Sequence, residues 1–132
     1  MHPQPKKLTD LKQILDLIGD GHNYYWKILW LEATSKDTEI SIIEFEEKIR
    51  DASDGYLINW PDLVQLSDAL EQTINILLIG DKEIARLRRY EAEEEMKTIC
   101  AICIELVDSS YWEVYTNVDS FKEAIKQRHP QD

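Results

Sequence analysis

Tyr90-Glu91-Ala92-Glu93-Glu94-Glu95 sets four carboxylates beside one aromatic ring, and Asp108-Ser109-Ser110-Tyr111-Trp112-Glu113 sets two carboxylates beside two rings. Carboxylates steer and pair with cations, and Tyr and Trp are the side chains that most often anchor protein interfaces. The two segments predict a partner-binding surface made of Tyr90, Glu91, Glu93, Glu94, Glu95, Asp108, Tyr111, Trp112 and Glu113. The plainer explanations are a solvated helix face for the glutamates and core packing for Trp112. Charge runs are commonly solvated, and tryptophan is highly buried on average.

Cys100-Ala101-Ile102-Cys103 has the spacing of a redox pair or a zinc half-site. A redox pair sits as a rule at a helix N-terminus, where the dipole lowers a thiol pKa. Here the pair lies in an apolar strand-like run, in which side chains three apart point to opposite faces. Zinc needs two more ligands, and the chain offers only His2, His22 and His129. Both cysteines therefore read as buried structural residues, with no metal and no cofactor expected. Gly80-Asp81-Lys82 follows an apolar strand pattern, the place where α/β enzymes hold ligands. A small enzyme with a carboxylate-lined cleft there is one alternative reading. One glycine cannot cradle a diphosphate, however, and neither a P-loop nor a dinucleotide fingerprint occurs. His22 has no neighbouring nucleophile, and Asp37, Glu39, Glu44, Glu46 and Glu47 give no reason to choose one acid/base pair over another. No catalytic residue is assigned.

Elements with readable periods must position these residues. Leu11, Ile14, Leu15 and Ile18 recur at helical spacing, with Thr9 able to cap a helix over residues 9–18 and Gly19-Asp20-Gly21 ending it. Tyr24 to Ala33 alternates as a strand, with Tyr24, Trp26, Ile28 and Trp30 on one face and Tyr25, Lys27, Leu29 and Leu31 on the other. Apolar residues on both faces imply a strand covered twice, or one whose outer face meets a partner. Ser41 and Glu44 have capping-box spacing before a helix running to about Arg50. Pro61 suits the first turn of a helix buried through Leu63, Leu66 and Leu70, and Thr73 to Ile79 reads as a central strand. Asp81 can cap a helix through Ile84, Leu87 and Tyr90 whose continuation is the acidic run. Thr98 to Val107 and Tyr111 to Thr116 read as an antiparallel hairpin, followed by a helix from Asp119-Ser120 that buries Phe121, Ala124 and Ile125. The order α-β-α-α-β-α-β-β-α predicts an α+β or α/β fold, a mixed sheet of about four strands packed with helices. One domain over residues 8–127, between flexible ends at 1–7 and 128–132, is the expected organisation.

The chain carries 26 Asp and Glu against 15 Lys and Arg, a formal charge of −11 over 132 residues. Such charge opposes compaction, keeps a protein in solution and speeds the capture of cationic partners. It disfavours contact with phosphate backbones, so nucleic acid is not an expected partner. At 43% hydrophobic and 31% charged, the composition is neither that of a disordered chain nor that of a membrane protein. The longest apolar stretches, 74–79 and 99–104, fall far short of the ~20 residues of a membrane span. With no export signal after Lys6-Lys7 and only two cysteines, a reducing cytoplasm is the expected location. Acidity and the two aromatic-acidic segments together predict a protein-binding module without chemistry of its own. Its sharpest form is an immunity protein or antitoxin whose acidic surface covers the cationic cleft of a basic toxin such as a nuclease. A regulatory or scaffold domain that binds another cellular protein is the other non-enzymatic reading.

Overall fold

The computed structural model describes residues 10–36, 42–108 and 111–128. Helix α1 (Leu11–Asp16) starts at Asp10, whose carboxylate accepts from the Gln13 amide at 2.9 Å, and it buries Leu11, Ile14 and Leu15. The cap is therefore Asp10; Thr9 lies outside the described residues, as does Ser41, the expected cap of α2 (Ile42–Asp51). The expected flexible ends also lie outside them, except for Arg128, which closes the last helix. A 3-10 turn at Gly21–Asn23 leads into β1 (Tyr25–Ser35), and after α2 come β2 (Tyr56–Ile58), α3 (Trp60–Ala69) and β3 (Leu70–Asp81). Helix α3 begins as Pro61 predicts: Asn59 Oδ1 accepts from the Asp62 amide at 2.9 Å, and the proline occupies a first-turn position that needs no donor. Then follow α4 (Glu93–Ile99), the hairpin strands β4 (Ile102–Leu106) and β5 (Trp112–Thr116), and α5 (Asp119–Arg128).

The fold is α+β, with five strands in one sheet of order β2-β1-β3-β4-β5. Every pairing is antiparallel, in place of the expected mixed sheet of about four strands. Strand direction is not encoded in hydrophobic period. The fifth strand, β2, spans three residues, too few for an alternation to show. One face of the sheet, through Trp26, Ile28, Leu78 and Ile104, packs on α1, α2, α3 and α5, which contribute Ile14, Ile49, Leu63 and Phe121 to the main core. The other face is covered in part by the stretch between β3 and β4, where Leu87, Met96 and Cys100 pack on Leu29, Ile79 and Cys103. Gly80 lies within β3 opposite Trp26, and a Cβ there would stand 2.6 Å from the Trp26 ring. Its role is to make room for a buried indole.

The helix expected from Asp81 through Tyr90 does not form; a 3-10 turn at Ile84–Arg86 stands in its place. Lys27 Nζ donates to the Leu87 carbonyl at 2.9 Å. The Arg89 guanidinium donates to the carbonyls of Leu29, Ile49 and Ala52 at 2.7, 2.8 and 3.1 Å. Hydrogen bonds from charged donors contribute roughly 1.5–3 kcal/mol each, more than helix propensity supplies over a few residues. The residues that follow change assignment too. Thr98 and Ile99 end α4 rather than opening β4, so Cys100 caps a helix while Cys103 sits on a strand. Both thiols consequently enter the same small core instead of pointing to opposite faces.

Candidate functional site

Strand β1 holds one extra residue at Leu29: Ile28 pairs with Leu78, and the next pair is Trp30 with Leu77. Such a bulge resets the alternation of a strand. Leu29 stays beside Ile79 in the smaller core, and Trp30 leaves the main-core face to stand 43% exposed. Strand pairing carries the line onward, with Leu77 opposite Glu105 and Glu105 opposite Glu113. Trp30, Leu77, Glu105 and Glu113 thus form one row across β1, β3, β4 and β5, on the sheet face turned away from the main core. The adjacent row, Lys27, Ile79, Cys103 and Tyr115, is the one that runs under Leu87, Met96 and Cys100. This face is thus covered over one half and more open over the other, where Trp30 is exposed and Leu77, Glu105 and Glu113 are partly buried, Leu77 against the smaller core.

The open half is electrostatically lopsided. Lys97, one turn beyond Glu93 on α4, holds its ammonium 3.6 Å from the Glu93 carboxylate and 4.2 Å from the centre of the Tyr115 ring. Glu93 in turn reaches Glu105, and Tyr115 donates its hydroxyl proton to Glu113. Three carboxylates therefore meet around one ammonium. Burial, then the neighbouring charges of Glu93 and Glu113, push the Glu105 carboxyl above the usual carboxylate range. Glu113 moves the other way, because hydrogen bonds from the hydroxyls of Tyr115 and Tyr111 favour its charged form. At the far end of the row, Trp30 Nε1 donates to Glu32 at 3.1 Å, fixing the indole on the surface.

The residues named from sequence are only partly brought together. Glu93, Tyr111 and Glu113 meet in this cluster, and Tyr111 is 64% exposed. Glu95 pairs instead with Arg88 at 3.6 Å, and Glu91 and Glu94 are exposed without joining the sheet. Tyr90 is half-buried against the smaller core, its hydroxyl donating to the Arg86 carbonyl and the Arg88 guanidinium lying 4.0 Å over its ring. Trp112 turns to the main core, on the opposite face of β5 from Glu113. Asp108 takes a left-handed φ of 50° at the start of the hairpin turn and donates its amide to Asn75 Oδ1 at 2.8 Å; Ser109 and Ser110 lie outside the described residues. Trp30, Leu77, Lys97, Glu105 and Tyr115 join the site without having been singled out for it from the sequence. Trp30 was expected on the same strand face as Trp26 and Ile28, and the bulge at Leu29 turns it to the other.

Other candidate chemistry finds structural employment. Asp81 is buried, with Oδ1 accepting from the Glu83 amide at 2.8 Å and Oδ2 from the Ala101 amide at 2.9 Å, so it ties the end of β3 to the approach of β4. Burial raises the thiol of Cys100 to about 11 and that of Cys103 to about 12, far from the reactive range. Among the described residues no group of three or more His, Cys, Asp or Glu side chains could hold a metal ion, and no helix is long and apolar enough to cross a membrane. A concavity of about 860 Å³ lies at the β2 edge of the sheet, between α2, β2 and α3, with Tyr25, Phe45, Leu57, Trp60 and Leu66 in its wall. The chain matches no protein-family model, no curated protein and no solved structure.

Proposed function

We propose that this chain is an acidic protein-binding module that lays the open half of its sheet on a cationic surface of its partner and performs no chemistry itself. The sharpest form of the reading is an immunity protein or antitoxin that occludes a basic toxin such as a nuclease, acting in the cytoplasm with both thiols reduced. The observation that supports it is the row from Trp30 to Glu113: an exposed indole at one end and under-neutralised carboxylates at the other. Each end has a separate task. The carboxylates steer a cation inward and set the association rate, while a tryptophan seated in a partner's pocket slows dissociation. Glu105 adds a local driving force, since an arriving ammonium or guanidinium relieves the repulsion from Glu93 and Glu113.

The regulatory or scaffold reading draws support from a different place, the concavity by β2, whose apolar wall of Phe45, Leu57, Trp60 and Leu66 offers a partner's apolar side chains a place to bury. Photo-crosslinking in the native host separates the two. A photoreactive amino acid is placed at position 30 and, in a second variant, at position 57 on the groove. A basic protein joined through position 30 is the expected product. An adduct formed through position 57 alone favours the scaffold reading, and an acidic partner at position 30 contradicts the proposal.

A further inference from the structure

Lys97, Lys122 and Lys126 line a hollow of about 460 Å³ along the β5 edge of the sheet, between α4 and α5. Among the described residues no carboxylate lines it, although acidic residues outnumber basic ones by 26 to 15 in the chain. Lys122 and Lys126 stand at i and i+4 on α5, a mildly unfavourable like-charge spacing on a helix. Among the described residues neither makes an ion pair, although Asp119 and Glu123 stand three residues before them on the helix. Lys97 is differently placed. Its side chain is only 15% exposed, and it is held by Glu93 and the Tyr115 ring at the rim where the acidic face ends. The hydroxyls nearby are engaged, Thr116 donating to the Ala101 carbonyl at 2.8 Å and Tyr115 donating to Glu113. The hollow thus presents ammonium donors and the Asn117 amide, with Val114 and Ile125 as apolar walls.

We propose that this hollow is a binding site for a small multivalent oxyanion, a phosphorylated or polycarboxylate ligand gripped between Lys97 on α4 and Lys122 and Lys126 on α5. Its volume is within the range of small-molecule sites. A net charge of −11 repels a long polyanion, whereas at physiological salt the Debye length of about 8 Å leaves a small one chiefly to the side chains around the hollow, the ammoniums of Lys122 and Lys126 and the Glu93-paired ammonium of Lys97. The site shares Lys97 and Tyr115 with the rim of the docking face, but its α5 lysines lie outside that face, so it stands whether or not that reading holds.

Calorimetric titration of the full chain with pyrophosphate and, separately, citrate, at ionic strength held constant with sodium chloride, tests this. A saturable isotherm with one or both anions is expected, and which one binds more tightly identifies the ligand class. Lys122→Gln with Lys126→Gln should weaken that binding by about tenfold or more, the loss expected when two charge-assisted hydrogen bonds go. The Lys122→Arg with Lys126→Arg variant should retain it, and Lys48→Gln on distant α2 should bind as the wild type does. Circular dichroism confirms that the glutamine variant is folded. Heat that does not saturate, or an affinity unchanged in the folded glutamine variant, overturns the proposal.

Discussion

Glu105 and Glu113 face each other across one strand pair, yet their carboxyls move in opposite directions. The raised group, Glu105, binds its proton more tightly in the folded chain than in the unfolded one. Its contribution to stability therefore falls as pH rises from below the ordinary carboxyl pKa through the raised value, above which the penalty is complete. Glu105→Gln should accordingly stabilise the protein at pH 7 by an amount that water screening keeps below about 1 kcal/mol. The gain should vanish near pH 4, as denaturant melts at the two pH values will show. Glu113 has the opposite sign: its depressed carboxyl supports the fold above the ordinary pKa and loses that support as pH falls through the lowered one. The thiols give a sharper test. With Cys100 and Cys103 buried and raised to about 11 and 12, iodoacetamide should label neither at pH 7.5 until denaturant is added. Cys103→Ser should lower stability by roughly 1–3 kcal/mol through an unpaired hydroxyl in an apolar site. The buried character of both cysteines was legible from their apolar neighbours. Their shared face was not, because it depends on where α4 ends.

The stretch from Lys82 to Ala92 shows how an element is decided by contacts far away in sequence. Ile84, Leu87 and Tyr90 have helical spacing, but Lys27 and Arg89 pin this stretch to β1 and to the end of α2. Arg89→Ala should cost roughly 2–4 kcal/mol, since three carbonyls lose a charged donor, and should speed amide exchange in residues 82–92 ahead of the rest of the chain. Gly80→Ala should cost about 1–3 kcal/mol by forcing the Trp26 ring aside. Elements with intact periods and caps, such as α3 after Asn59-Trp60-Pro61 and the β4–β5 hairpin, were readable from sequence. The β1 bulge was not, and it matters most. One additional residue at Leu29 decides that Trp30 faces outward, and no local pattern in the strand marks it. The candidate site was half legible for the same reason: residue types on β5 and α4 pointed to it, while the partners on β1, β3 and β4 arise from strand register.

At the scale of the whole molecule, a charge of −11 acts on folding and on recognition together. Self-repulsion opposes the compact state, so raising sodium chloride from about 0.01 to 0.15 M, where the Debye length shrinks from about 30 to 8 Å, should raise the melting temperature. The same screening should slow the capture of a cationic partner. Charge is unevenly arranged as well, acidic on the open half of the sheet and locally basic at the β5 edge, with Lys97 at the boundary between them. The central claim is that the row from Trp30 to Glu113 is the partner-binding face. Stopped-flow association with the basic protein crosslinked through position 30 tests it most directly, measured over 0.05–0.3 M salt (roughly 14 to 6 Å of Debye length). The variant Glu93→Gln, Glu105→Gln, Glu113→Gln should associate more slowly and with a flatter salt dependence than the wild type, whereas Trp30→Ala should leave association nearly unchanged and speed dissociation by about tenfold or more. Association and dissociation rates that match the wild type in both variants, at every salt concentration, would contradict the account.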